Sequence, residues 1–218
     1  AKDAGAGGAN ASEARVSYDS PADLKALSKK LEKMSEDAGL AANLQSEITP
    51  YGLRVMLHDT DRQGMFMRGS ALPTGRFARL LQKMAPLFAQ MENQMLIVGH
   101  TDSVQYQFAE KTGMSNWSLS SNRAMAARAQ LLQGGMRNDS VLQVVGMADR
   151  APLDAKRTDA GINRRIELMI LTRTQSRSVA AMFGAPGATE ALLDGVSVSA
   201  PGAGKAGDTT ALRGQLAK

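Results

Sequence analysis

The chain has no cysteine among its 218 residues. Disulfides, thiolate-bound zinc and a thiol nucleophile are therefore excluded. Aromatic residues make up only 4% of the sequence, so a core has to be assembled from Leu, Ile, Val, Met and Ala. Histidine is scarce as well. His58 and His100 are the only two, without the His-x-x-Glu-His type of spacing, which argues against a metal site. No apolar run approaches the ~20 residues of a membrane span. The opening residues, Ala1-Lys2-Asp3-Ala4-Gly5, do not form a signal peptide.

What is present is a basic, methionine-rich chain of a length that suits one domain with tails. Its formal charge is +5 and its pI about 9.6. Such a surface suits an anionic partner (nucleic acid, lipid headgroups or a cell-wall polymer) or serves solubility alone. Aromatics do not interleave with the basic residues, so nucleic acid is not the expected partner. Methionine occurs 13 times. Met65, Met67, Met84 and Met95 read as pliable core fillers rather than a cofactor box, and no cofactor is expected.

The periodicity divides the chain into four parts. Residues 1–19 are rich in Ala, Gly and Ser and read as disordered. Ser20-Pro21-Ala22-Asp23 starts a helix, with Ser as N-cap and Pro at the first helical position. Leu24, Leu27, Leu31 and Met34 form its stripe, and Gly39 stands near its end, so residues 20–40 read as a linker helix. Residues 41–173 carry the foldable pattern. Strands are expected at 43–49 and 52–58 around Pro50-Tyr51, at 95–98, at 141–145 and at 166–171. Helices are expected at 74–91, kinked or shortened by Pro86, and at 121–133, with Ser120 as N-cap and Gly134-Gly135 as stop. Alternating strands and helices imply crossovers onto one sheet. Residues 174–218 read as a disordered tail, with a brief helical piece near 178–183.

Three pieces carry the chemistry. Gly99-His100-Thr101-Asp102 follows the apolar run Met95 to Val98. Asn116-x-x-Leu119-Ser120-x-x-Arg123-Ala124 opens a long Ala/Leu/Met helix. Gly161-Ile162-Asn163-Arg164-Arg165-Ile166-Glu167 precedes the last strand. An acid at a strand end and an arginine in a helix's first turn can face each other across one cleft. They can then hold a ligand bearing both an ammonium and a carboxylate. Equally, the two can form an internal salt bridge, which is routine at element ends and contributes little.

In that order, and together with Val144-Val145-Gly146-Met147-Ala148, these pieces resemble the OmpA-like peptidoglycan-binding domain. Within that group they resemble the periplasmic half of flagellar stator proteins of the MotB family. The resemblance covers roughly residues 20–172. It implies an α+β sandwich with β-α-β-α-β order: one mixed sheet, helices on one face, and an N-terminal linker helix. It implies a non-catalytic domain that binds peptidoglycan and anchors a motor stator to the wall. By the same resemblance, the domain is periplasmic and belongs to a protein of the bacterial inner membrane. It works as a homodimer, with MotA as partner through a membrane segment, and the P-ring or other motor components as further contacts. Family members carry an N-terminal transmembrane helix and a plug segment. Neither occurs here, so a periplasmic fragment or a product lacking its anchor is expected.

Peptidoglycan stems containing meso-diaminopimelate end in a free amino acid. The resemblance implies that Asp102 meets its ammonium and Arg123 its carboxylate. A planar guanidinium suits that role, because its fork makes two parallel hydrogen bonds to a carboxylate. Near a helix N-terminus, free N–H groups would add to the attraction. Thr101 orients Asp102 or donates to the ligand. Asn116 is a site residue or a turn residue, and Leu119 packs as a staple. Of Asn163, Arg164 and Arg165, alternation sends the two arginines to opposite faces, and Arg164 is the preferred ligand contact.

The insertion from Val104 to Ser115 holds Tyr106 and Phe108, with Trp117 nearby. These aromatics stack on glycan rings or fold onto the domain. His100 and Asp102, two apart, could share a strand face as a catalytic pair. No Gly-x-Ser-x-Gly elbow accompanies them, and no acidic pair with clear spacing appears. The rival readings are an OmpA-like domain of another envelope or secretion-system protein, a cell-wall enzyme and a basic nucleic-acid binder.

Overall fold

A computed structural model of the chain describes residues 15–104 and 115–184. Its first compact unit, Ala1–Ala180, holds the sheet and its helices. Of the second, Ala181–Lys218, only residues 181–184 are described. Among the described residues, no helix is long and apolar enough to cross a membrane.

Helix α1 runs Pro21–Asp37 and starts with a complete capping box between Ser20 and Asp23. Strands β1 (Leu44–Thr49) and β2 (Gly52–His58) form an antiparallel hairpin around Pro50-Tyr51. Helix α2 spans Gly75–Ala89 and continues three residues past Pro86 before ending. Strand β3 is Met95–His100, helix α3 is Asn116–Gln133, and β4 is Val141–Gly146. Strand β5, Arg165–Leu171, leads into helix α4, Arg173–Phe183.

The sheet order is β1-β2-β5-β3-β4. Only β3 and β4 are parallel, because α3 carries the chain between them as a crossover. Along β2 and β5, alternate residues face the helices. Leu53, Val55 and Leu57 lie opposite Ile170, Leu168 and Ile166, all fully buried. Phe77, Leu80, Leu81, Met84 and Phe88 of α2, with Leu27 and Leu31 of α1, complete this core. Truncating one such leucine to alanine costs about 3 kcal/mol in a well-packed core. The opposite face of β5 carries Arg165, Glu167 and Met169, also buried.

Several boundaries differ from the sequence expectation. Helix α3 begins at Asn116 with Ser115 as N-cap, not at residue 121 with Ser120. Both serines are followed by plausible first turns, and the choice rests on the hydrogen bond from the Ser118 N–H to the Ser115 hydroxyl. Residues 15–19 are held, not loose. Val16 bridges to Met91, and Tyr18 is buried with both backbone groups on the Asn93 side chain. Helix α4 occupies the stretch read as the start of a disordered tail. Met67 is exposed, whereas Met65, Met84 and Met95 are core residues as expected. The expectations for residues 1–14 and 185–218 lie outside the described residues.

Candidate functional site: a cleft with charges of both signs

Two glycines bring the pieces of the site together. A Cβ on Gly99 would stand 2.1 Å from the Ser120 carbonyl oxygen, and one on Gly146 would stand 2.1 Å from the Ser121 hydroxyl. The ends of β3 and β4 therefore press directly on helix α3. Ser120 seals the contact: its Oγ donates to the Trp117 carbonyl and accepts the Ala148 N–H. Ala148 itself sits at φ 50°, the rare left-handed region, just after β4. The Thr101 N–H donates to the Ala148 carbonyl at 2.9 Å and so fixes the chain leaving β3.

This packing opens a cleft of about 800 Å³ at the C-terminal end of β3. Thr101, Asp102, Asn116, Leu119, Arg123 and Arg164 all line it. Asn116, Leu119 and Arg123 stand at i, i+3 and i+7, one face of α3. Arg123 is thus two turns into the helix, not in its first turn, and its attraction for an anion comes from its own charge. Asn163 does not line the cleft. Its side chain accepts the Asp154 N–H and donates to the Asp154 and Arg157 carbonyls, clamping the loop before β5. Of the two adjacent arginines, Arg164 faces the cleft. Arg165 points behind it and bonds Glu167 at 2.8 Å.

Asp102 does not pair with Arg123. Its Oδ2 accepts Arg164 Nη1 at 2.6 Å, and its Oδ1 accepts the Val104 N–H at 3.1 Å. Arg164 also donates through Nε to Asp59 Oδ2 at 2.7 Å. Asp59, from the end of β2, is a site residue that the sequence reading missed. It follows a strand with no motif around it, so only the sheet register places it here. Burial works against the Arg164 charge, but its hydrogen bonds to Asp59 and Asp102 more than offset this and raise its pKa. Asn116 donates to the carbonyls of Asp102 and Val104, both at 3.3 Å, tying the helix start to the strand exit.

Arg123 is 5% exposed. Its Nε–H donates to the Ser70 carbonyl at 2.9 Å, and its guanidinium lies 5.1 Å from the Phe66 ring centre. Among the described residues no carboxylate comes within 4 Å of it. Burial lowers its pKa, as does Arg164, against the pull of Asp59 and Asp102. A desolvated cation without a contacting counter-charge favours an anionic ligand. The buried Thr101 hydroxyl, which has no hydrogen-bond partner among the described residues, offers a second unused polar group in the same cleft.

His100 and Asp102 do not form a pair. Strand β3 ends at His100, so the alternation that would align them stops there. His100 Nε2 lies 3.3 Å from Glu167 Oε1, within an ion cluster that includes Arg165 and Arg54. Burial would raise the Glu167 pKa, but His100 and Arg165 beside it hold the carboxyl down to about 2. Trp117 is exposed at the start of α3, while Tyr106 and Phe108 lie outside the described residues.

An α+β sheet with helices on one face and this cleft at the strand ends is the architecture of an OmpA-type domain. The profile of the OmpA family matches residues 65–165. A truncated flagellar export/assembly protein LafU of Escherichia coli K12 is 39% identical over 178 residues, covering 82% of this chain and 83% of that protein. Motility protein B of the same strain is 36% identical over 140 residues, covering 64% of this chain and 45% of that protein. A MotB-like protein from Desulfovibrio vulgaris shares the fold, with a TM-score of 0.56 at 20% identity over 69% of this chain and 94% of that one. The chain belongs to the family of the flagellar LafU relative, and its residues 65–165 match the OmpA family. It spans about half the length of the longer relatives it matches.

Proposed function

We propose that this domain binds peptidoglycan without catalysis and anchors a flagellar motor stator to the cell wall. One observation carries the reading. Asp102, Arg123 and the Thr101 hydroxyl, unpartnered among the described residues, line a single cleft that holds charges of both signs. The zwitterionic tip of a diaminopimelate stem presents the complementary charges. Its ammonium would compete with Arg164 for Asp102, and its carboxylate would meet Arg123. The LafU and Motility protein B relatives favour a flagellar setting over another envelope or secretion system.

In this reading the domain lies in the periplasm and belongs to a protein held in the inner membrane. A homodimer would give two wall contacts and correspondingly higher avidity. MotA would join through a membrane segment, and the P-ring would be a further contact. Torque requires a fixed reaction point, and the cleft supplies it. Sedimentation with purified sacculi tests the reading. Co-pelleting without release of soluble muropeptides supports it. Failure to pellet, or release of muropeptides, contradicts it.

A further inference from the structure

The segment from Gly64 to Thr74 forms one wall of the cleft, and no motif in it pointed to function. It is nonetheless tightly held. Asp59 Oδ1 accepts the Met65 N–H at 2.7 Å, while its Oδ2 holds Arg164. The Thr74 N–H donates to the Met65 carbonyl at 2.9 Å, and the Met67 N–H to the Leu72 carbonyl at 2.9 Å. Phe66 is anchored from below by an edge-to-face contact with the fully buried Phe77, ring centres 5.3 Å apart. From above, the Arg123 guanidinium lies over the Phe66 ring, and the Ser70 carbonyl takes its Nε–H.

Recognition of a carboxylate by a guanidinium fork depends on the direction of the guanidinium plane. A side chain with four rotatable bonds does not hold that plane by itself. Here a ring face sets its tilt and a carbonyl sets its rotation. Meanwhile Asp59 ties the same segment to Arg164, and Arg164 to Asp102. Arg123, Arg164 and Asp102 are therefore all referenced to one loop.

We propose that Phe66 is a positioning residue that determines specificity: it aims Arg123 so that the cleft distinguishes a ligand with a carboxylate beside its ammonium from one with the ammonium alone. This rests on the peptidoglycan reading above. A cation over an aromatic face gains from the ring's quadrupole, and the gain is larger where water is excluded, as at Arg123. The aromatic face, rather than the bulk of the side chain, is thus the property that does the aiming.

The test uses the full 218-residue chain and two tripeptides, L-Ala-γ-D-Glu-meso-diaminopimelate and its lysine counterpart, which lacks the carboxylate beside the side-chain ammonium. Wild type binds the first more tightly. Phe66→Leu lowers that preference roughly tenfold toward the Arg123→Ala value, with lysine-peptide affinity unchanged. Phe66→Trp keeps the preference, and Phe66→Leu adds nothing in an Arg123→Ala background. A Phe66→Leu protein that retains full preference, or loses affinity for both peptides equally, overturns the proposal. The Arg123 Nε–H proton resonance gives a reading that needs no variant. Ring-current displacement in the wild type supports the stacking, and an ordinary position overturns it. If wild type binds neither peptide, the peptidoglycan reading fails, and this proposal with it.

Discussion

Arg164 Nη1 donates to Asp102 Oδ2 at 2.6 Å, so the acid of the Gly-His-Thr-Asp motif is already engaged by a cation from the last strand's approach. Asp59 receives the Nε of the same guanidinium. Two carboxylates sharing one arginine keep a net negative charge, which favours an incoming cation. An incoming ammonium can take over one of the two acids, while Arg164 keeps the other.

Removing that arginine leaves Asp59 and Asp102 without their shared cation. Arg164→Met is expected to cost about 2 kcal/mol, the range for hydrogen bonds to charged groups after allowing for partial exposure. For a domain of this size that lowers the thermal midpoint by roughly 4–8 °C. Calorimetry at neutral pH checks it. Asp59→Asn, which keeps an acceptor for the Met65 N–H, should cost less.

Arg123→Lys keeps the charge but loses the fork, the Nε–H donor to Ser70 and the flat face over Phe66. Affinity for sacculi is expected to fall at least about tenfold, because a point charge cannot replace a bidentate donor. Pull-down across a sacculus concentration series measures this. An unaltered curve would remove Arg123 from the binding site.

Gly99→Ala places a methyl 2.1 Å from the Ser120 carbonyl oxygen, a backbone atom that cannot swing aside. Helix α3 must retreat from β3. The expected cost is about 3 kcal/mol, at the upper end for overpacking. Urea denaturation should show it as a lower midpoint with little change in slope. The helix carries Asn116 and Arg123, so wall binding should fall as well.

Glu167 has its carboxyl held down to about 2, below the ordinary 4.5. A depressed acid stabilises the folded state above its unfolded value and loses that contribution as pH falls toward its folded value. Wild-type stability should therefore drop between about pH 5 and pH 2, by no more than about 3 kcal/mol from this group. The gap between wild type and Glu167→Gln should be widest above pH 5 and close toward pH 2. Thermal melts at stepped pH read it directly.

Much of this was legible in the chain. Period-two runs such as Leu53, Val55 and Leu57 fixed strand faces, and the helix stripes Leu24, Leu27, Leu31 and Phe77, Leu80, Leu81, Met84 fixed the packing side. The motif order placed Thr101, Asp102, Asn116, Leu119, Arg123 and Arg164 on one cleft. What escaped depends on contacts between distant segments. The partner of Asp102 is Arg164, 62 residues away, because sheet register and not local spacing brings them together. Asp59 and Phe66 carry no local signature of their roles. Asn163 reads as a site residue in its motif, yet its amide is used up by the loop at Asp154 and Arg157. Tyr18 is buried in the core, and its backbone is held by Asn93 from 75 residues on.

The most direct test of the two-ended cleft is a titration of the chain with free meso-diaminopimelate, followed by backbone and side-chain NMR shifts. The account predicts saturable shifts at Thr101, Asp102, Asn116, Arg123 and Arg164, abolished when cadaverine, the same chain without either carboxylate, replaces diaminopimelate at the same concentrations. Shifts confined to other surfaces, or none at all at saturating ligand, would contradict it.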